Sequence, residues 1–146
     1  METVEYSILL HATKDRIWEK LWDKECYAKW TQFFDIQFYI KSDWKVNGKT
    51  YFLKDEENGM VSTITSLDQP NEIIFQHLGT VIDGVEDIHS ANVVEWSGTE
   101  EKYFLRSLEA EVTELSVIVH IYKYQRPKMD EGFRKGFEIL KELCEK

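Results

Sequence analysis

The sequence predicts an α+β fold in which a curved antiparallel sheet of about six or seven strands wraps around a long C-terminal α-helix. Three observations predict it: an amphipathic C-terminal segment, a run of strands joined by tight turns, and two short helices after the first strand. A sheet with one apolar face needs a cover, and the C-terminal segment is the only long candidate. The 146 residues are enough for a single domain, 1–146, with a real core.

The C-terminal helix is predicted over residues 128–146. Met129, Phe133, Phe137, Leu140 and Cys144 recur at spacings of three and four, which places them on one face of a helix. Charged residues occupy the opposite face, so the helix is amphipathic.

Gly136 interrupts this apolar stripe, between Phe133 and Leu140. Glycine inside a helix costs about 1 kcal/mol relative to alanine, so the position needs a reason. Either the helix backbone approaches the layer beneath it closely, or the missing side chain leaves room for a ligand.

The N-terminal part predicts one strand and two helices. Residues 4–10 alternate between apolar and polar side chains, as in a half-buried strand. Thr13 is a candidate N-cap for a first helix that buries Ile17, Trp18, Leu21 and Trp22. A second short helix is expected over residues 23–30.

Six further strands are predicted in hairpin succession, which implies antiparallel pairing. Asn47-Gly48 is a strong signal for a tight hairpin turn. Residues 79–98 are irregular in composition, and we expect a long loop there that acts as a lid. The six strands are predicted at 39–46, 50–54, 60–67, 72–78, 102–109 and 114–124.

The net charge of −9 argues against nucleic acid or an anionic membrane as the main partner, because phosphates require a basic face. Six acids and no Lys or Arg fall within residues 81–101, which favours a solvated acidic loop over a cation site. The two cysteines, Cys26 and Cys144, fit a reducing cytoplasm. No secretory signal and no membrane-spanning run is predicted.

Candidate ligand-binding residues come from the heavy aromatic content, 14% of the chain. Each of these aromatic side chains either fills the core or lines a pocket between helix and sheet. His77 shares its strand parity with Ile73 and Phe75, so it should face inward as a core residue or as a polar anchor in an apolar cavity. The full candidate set is Trp30, Trp44, Phe52, Phe75, His77, Trp96, Tyr103, Phe133, Gly136 and Phe137.

No catalytic constellation, metal site or cofactor is predicted. The four histidines are not spaced as a metal-ligand pair, and Gly-rich phosphate loops and the GxSxG elbow are absent. Glu95 is a possible general acid, but the sequence offers it no orienting partner. His120 is expected on the outer face of its strand.

Several segments together resemble the SRPBCC, or START-like, superfamily, and within it the group named after the activator of Hsp90 ATPase. The order of these segments implies a helix-grip fold over nearly the whole chain. Superfamily members include lipid carriers, cyclase-like enzymes and cochaperone domains, so the resemblance implies a fold rather than one function. The segments are ATKDRIWEKLWDKECYAKW at 12–30, Asp43-Trp44, Gly59-Met60-Val61, PNEIIFQHLG at 70–79, EWSG at 95–98 and the helix with Phe133, Gly136 and Phe137.

Three functions follow as hypotheses. The first is a binding module for a small apolar or amphipathic ligand held between the C-terminal helix and the sheet. The second, implied by the resemblance, is a chaperone-linked protein-interaction domain. The third is an enzyme of the cyclase or hydrolase type, which requires two titratable groups that converge in a pocket. The sequence leaves the choice between monomer and homodimer open.

Overall fold

The computed structural model describes residues 1–34 and 39–146. Within them eight strands form one antiparallel sheet, in the order β1-β8-β7-β5-β4-β3-β2 with β6 beside β5. The strands are β1 (Glu2–Leu10), β2 (Tyr39–Ser42), β3 (Lys49–Leu53), β4 (Gly59–Asp68), β5 (Glu72–Ile82), β6 (Val85–Asp87), β7 (Glu100–Glu109) and β8 (Val112–Ile121). The helices are α1 (Lys14–Trp22), α2 (Lys24–Trp30), α3 (Ala91–Val94) and α4 (Arg126–Glu145).

The predicted α+β helix-grip architecture is confirmed. The long helix α4 packs against α1, α2 and β1, and the curved sheet closes around it. Its stripe is buried as predicted at Phe133, Phe137, Leu140 and Cys144, while Met129 is half-buried. The apolar periodicity of α4 therefore identified the face that meets the rest of the core.

Helices α1 and α2 begin as the sequence predicts. The Thr13 hydroxyl accepts a hydrogen bond from the Arg16 N–H, and the Asp23 carboxylate accepts one from the Cys26 N–H. Both bonds satisfy N–H groups that have no partner inside the helix. The two helices then bury their tryptophans, of which Trp30 is 1% exposed.

The strand predictions need two corrections. Strand β2 ends at Ser42, so the connection to β3 spans 43–48 and is not a two-residue turn. Asn47 adopts a positive φ of 68° inside this longer loop, which asparagine tolerates better than most residues. The Asn47-Gly48 pair therefore marked the turn correctly but gave its length wrongly.

The second correction concerns residues 79–98, which are more regular than expected. Strand β5 continues to Ile82, turns back as β6 and is followed by the short helix α3. Gly79 accommodates the close approach of β6, because a Cβ there would lie 2.0 Å from the Asp87 carbonyl oxygen. The first part of the predicted loop is thus an extension of the sheet, and a short helix with turns follows it.

Candidate functional site

A cavity of about 660 Å³ lies between the sheet and the N-terminal half of α4. Tyr27 and Trp30 of α2 and Met129 and Phe133 of α4 line its helical side. Phe34, in the turn after α2, packs edge-on against Phe133 with ring centroids 5.1 Å apart. The wall on this side is therefore mostly aromatic.

The sheet side is lined by residues of five strands. Phe52 of β3 and Met60 of β4 face each other across a paired register. Six of the predicted site residues border the cavity: Trp30, Phe52, His77, Trp96, Tyr103 and Phe133. The structure therefore brings these six predicted residues together around one space between helix and sheet.

Three other predicted site residues do not border this cavity. Phe75 is fully buried, with its ring among those of Phe52, Trp22 and Tyr103. Phe137 is 5% exposed and packs against Phe133. Trp44 lines a separate hollow of about 240 Å³, so it is not part of the main cavity wall.

Gly136 also lies outside the cavity lining. A Cβ built on it would lie 2.3 Å from the backbone oxygen of Trp30, so the glycine allows α4 to approach the end of α2. Of the two readings of this glycine, close backbone approach is the one that the geometry supports. The space for a ligand lies about one helical turn nearer the N-terminus of α4, beside Met129 and Phe133.

Polar side chains meet at the inner end of the cavity. His77 of β5 is opposite Ser62 of β4, and its Nδ1 lies 2.7 Å from the Ser62 hydroxyl. Glu101 of β7 accepts a hydrogen bond of 2.7 Å from the Tyr103 hydroxyl through Oε2. His77 and Glu101 form a polar pair, in which His77 Nε2 and Glu101 Oε1 are 3.8 Å apart.

Strand register explains why these side chains face inward. Glu101 is opposite Phe75 on one neighbouring strand and Val119 on the other, and both of those are buried core residues. Its side chain is 21% exposed, and since it faces the core, that exposed fraction opens onto the cavity. His77, at 9% exposed, was predicted to face inward and does so.

Burial decides the charge state of this pair. It lowers the pKa of His77 to about 4, with a smaller contribution from His120, and it raises the pKa of Glu101. Removal from water disfavours the charged form of each group, because the low-dielectric interior solvates charge poorly. Both shifts favour the uncharged form of the group concerned, and a pKa of about 4 leaves the His77 imidazole uncharged at neutral pH.

Residue Thr80 reaches the cavity through a β-bulge. The pairing of β4 and β5 shifts between Val61 and Ser62, so that Val61 is opposite Gly79 whereas Ser62 is opposite His77. The extra residue reverses the parity of β5, and Thr80 then pairs with Met60 and lines the cavity. The Thr80 hydroxyl oxygen is buried with no hydrogen-bond partner in the described part of the chain.

Sequence reasoning missed Glu101 by assigning it to a solvated acidic stretch. The strand prediction began at Lys102, whereas β7 begins at Glu100. Extending the alternation of Tyr103 and Leu105 back by one step places Glu101 on the inner face. The alternation along this strand could therefore have identified Glu101 as an inward-facing residue from the sequence.

The pair is better suited to hydrogen bonding than to proton abstraction. Two titratable groups converge in the cavity, which is the arrangement that an acid–base enzyme requires. However, a histidine with a pKa of about 4 is a weak base near neutral pH, where a general base works best with a pKa close to the operating pH. A neutral imidazole beside a carboxyl group offers one donor and one acceptor to a bound molecule.

Residues 1–34 and 39–146 contain neither a metal-binding cluster nor a membrane-spanning helix. No group of three or more His, Cys, Asp or Glu side chains is arranged to hold a metal ion. None of the helices in these ranges has the length and apolar character needed to cross a membrane. His120 is half-buried, and its Nδ1 accepts a hydrogen bond of 3.1 Å from the Glu100 N–H.

The chain matches no protein-family model and no curated protein. It is similar to the solved structure of protein CV1439 from Chromobacterium violaceum, with a TM-score of 0.67 and 18% identity over 100% of this chain and 99% of that one. The Aha1 dimer from Colwellia psychrerythraea gives a TM-score of 0.64 and 18% identity over 99% and 95% of the two chains.

A third similar structure is PFC0360w, an Hsp90 activator from Plasmodium falciparum, with a TM-score of 0.62 and 13% identity over 93% and 91% of the two chains. At such identities the likeness concerns the fold. The chain therefore has the helix-grip fold that is also found in Hsp90 activator-like proteins.

Proposed function

We propose that this domain binds a small, mostly apolar ligand in the cavity between α4 and the sheet. The observation that carries the proposal is the cavity itself: about 660 Å³, walled by aromatic side chains and closed at its inner end by His77 and Glu101. Sites for small molecules typically enclose about 300–1,000 Å³, with apolar walls and a few placed polar groups. The ligand would bury its apolar body against Trp30, Phe52 and Phe133.

Cavity-filling variants test this proposal. N-phenyl-1-naphthylamine, an uncharged dye that fluoresces in apolar surroundings, should brighten when titrated with the wild-type protein. Met60→Trp places a large side chain in the cavity and should remove most of the signal, because Met60 lines the wall. The matched control is Thr65→Trp, on the same strand at an exposed position, which should bind like wild type.

Two measurements accompany the titration. Circular dichroism establishes that both variants are folded, and native mass spectrometry of freshly purified protein looks for a co-purified small molecule. A wild-type protein that neither brightens the dye nor carries an added mass would contradict the proposal. So would equal binding by Met60→Trp and Thr65→Trp, because the dye would then occupy another surface.

A second candidate is a chaperone-linked interaction in the cytoplasm. Two similar solved structures are described as Aha1 and as an Hsp90 activator, and that likeness favours it. The buried free thiols of Cys26 and Cys144 are consistent with a reducing compartment. The ATPase rate of Hsp90, measured with and without a tenfold excess of this chain, tests the idea, and an unchanged rate counts against it.

A further inference from the structure

The two inner atoms of the polar pair are available to a ligand. No hydrogen bond within the described ranges reaches His77 Nε2 or Glu101 Oε1, although His77 Nδ1 and Glu101 Oε2 each have a partner. Their separation of 3.8 Å is too long for a direct hydrogen bond. An oxygen atom placed between them can lie at about 2.8 Å from both.

Ser62 and Tyr103 restrict which hydrogen bonds His77 and Glu101 can offer to a ligand in this gap. The Tyr103 hydroxyl donates to Glu101 Oε2, which leaves Oε1 as the oxygen of the carboxyl group that faces the gap. A neutral imidazole has one N–H, on either Nδ1 or Nε2. The Ser62 hydroxyl can accept a hydrogen bond from a protonated Nδ1 or donate one to an unprotonated Nδ1. Two donors or two acceptors facing each other would repel, so the favoured arrangement presents one donor and one acceptor.

A hydroxyl group complements such a gap because it donates one hydrogen bond and accepts another. It does so whichever of the two atoms carries the proton. A carboxylate or an ether oxygen only accepts, and an ammonium group only donates, so each leaves one partner unsatisfied. Leaving a buried polar group unpaired costs more than a good hydrogen bond contributes.

Charge near the gap works against anionic ligands. Glu100 lines the cavity, and the basic side chain among the lining residues, Lys54, is exposed at the opening. A carboxylate carried to the inner end would be buried beside Glu101 without a cation. Buried charge without a partner is strongly disfavoured.

Resting on the proposed ligand-binding function, we infer that the cavity selects flat apolar alcohols or phenols whose hydroxyl group bridges His77 Nε2 and Glu101 Oε1. The ring system lies against Trp30, Phe52 and Phe133, and the hydroxyl group points inward. Carboxylates with the same ring system bind more weakly.

Four probes that share one ring system test this specificity: naphthalene, 2-naphthol, 2-methoxynaphthalene and 2-naphthoate, titrated by isothermal calorimetry at pH 7. We expect 2-naphthol to bind about tenfold more tightly than 2-methoxynaphthalene, because one well-placed hydrogen bond contributes about that factor. The affinity for 2-naphthol should exceed the affinity for 2-naphthoate by at least the same factor. In Glu101→Leu the preference for 2-naphthol over 2-methoxynaphthalene should disappear while naphthalene still binds. Glu109→Gln removes a charge from an exposed position at the other end of the same strand and should keep the preference.

The comparison of the four probes in the wild-type protein does not depend on whether any variant folds. Circular dichroism establishes whether the variants are folded. Equal affinities for 2-naphthol and 2-methoxynaphthalene in the wild-type protein overturn this inference and leave the proposed function standing. Tighter binding of 2-naphthoate, lost in Lys54→Met, overturns it in favour of a ligand whose charged end lies at the opening. Binding of none of the four probes overturns both the inference and the proposed function.

Discussion

The two halves of α4 carry the same apolar stripe but meet different surroundings. Leu140 and Cys144 in the C-terminal half are 0% and 2% exposed within the main core cluster. Met129 and Phe133 in the N-terminal half border the cavity instead. A buried helical face therefore indicates contact with the interior without indicating whether that interior is filled.

Fixed contacts hold the C-terminal half in place. The Arg16 guanidinium of α1 donates hydrogen bonds to the backbone oxygens of Cys144 and Lys146, both at 2.6 Å. These oxygens lie at the end of α4, where carbonyl groups have no partner inside the helix. The interaction also places a positive charge at the negative end of the helix dipole. We call this half the closed half and the half beside the cavity the open half.

The largest expected difference between the halves is the cost of truncating a side chain. Leu140→Ala should destabilise the protein by about 3 kcal/mol, because it removes buried contacts and leaves a void in a packed region. Met129→Ala should cost less than about 1 kcal/mol, because Met129 is half-buried beside existing space. Urea unfolding measures both values. Similar losses would show that the open half is packed like the closed half.

The second difference concerns pH, since the inner end of the cavity holds a titratable pair. His77 has a pKa of about 4 when folded and near 6.5 when unfolded, so the unfolded chain binds more protons between these values. This contribution makes stability fall as pH falls from 6.5 to 4. Glu101 has a raised pKa when folded, so its contribution makes stability fall as pH rises above 4.5. In the overlapping range the two contributions oppose each other.

Glu101→Gln should expose the contribution of His77. In this variant the His77 contribution alone should lower stability by about 1 kcal/mol as pH decreases from 6 to 5, and the fall should be steeper than in wild type, where Glu101 opposes it. Groups other than Glu101 are present in both proteins and largely cancel in the difference, which therefore measures the opposing contribution of Glu101. Urea unfolding at several pH values measures this slope. Parallel pH profiles for the variant and wild type would contradict the raised pKa of Glu101, and a flat profile in the variant would contradict the lowered pKa of His77.

The smallest expected difference compares two glycines of α4. Gly136→Ala places a Cβ 2.3 Å from the Trp30 backbone oxygen and should cost about 1–2 kcal/mol, because overpacking exceeds the gain in helix propensity. A Cβ at Gly132 meets the Phe34 ring at 2.4 Å, and a side chain in a turn moves more easily than backbone. Gly132→Ala should therefore be closer to neutral. A larger loss for Gly132→Ala, measured by thermal unfolding, would reverse this account.

Local patterns predicted the elements of the fold well. The alternation of Ile73, Phe75 and His77 correctly placed the histidine inward, and the cap residue Thr13 marked the start of α1. The site was predicted less completely. Thr80 entered the cavity through a bulge that no local pattern revealed, and Glu101 lay just before the predicted start of its strand.

The sequence by itself determined the order of the elements, the amphipathic face of α4 and the inward orientation of most strand residues. These properties follow from backbone geometry and periodicity, which act over a few residues. Only the tertiary structure decided that Gly136 meets the Trp30 carbonyl, that Trp44 lies outside the main cavity, and that His77 and Glu101 face each other. Those facts depend on strand register and on how far two layers approach, which residues distant in the chain set together.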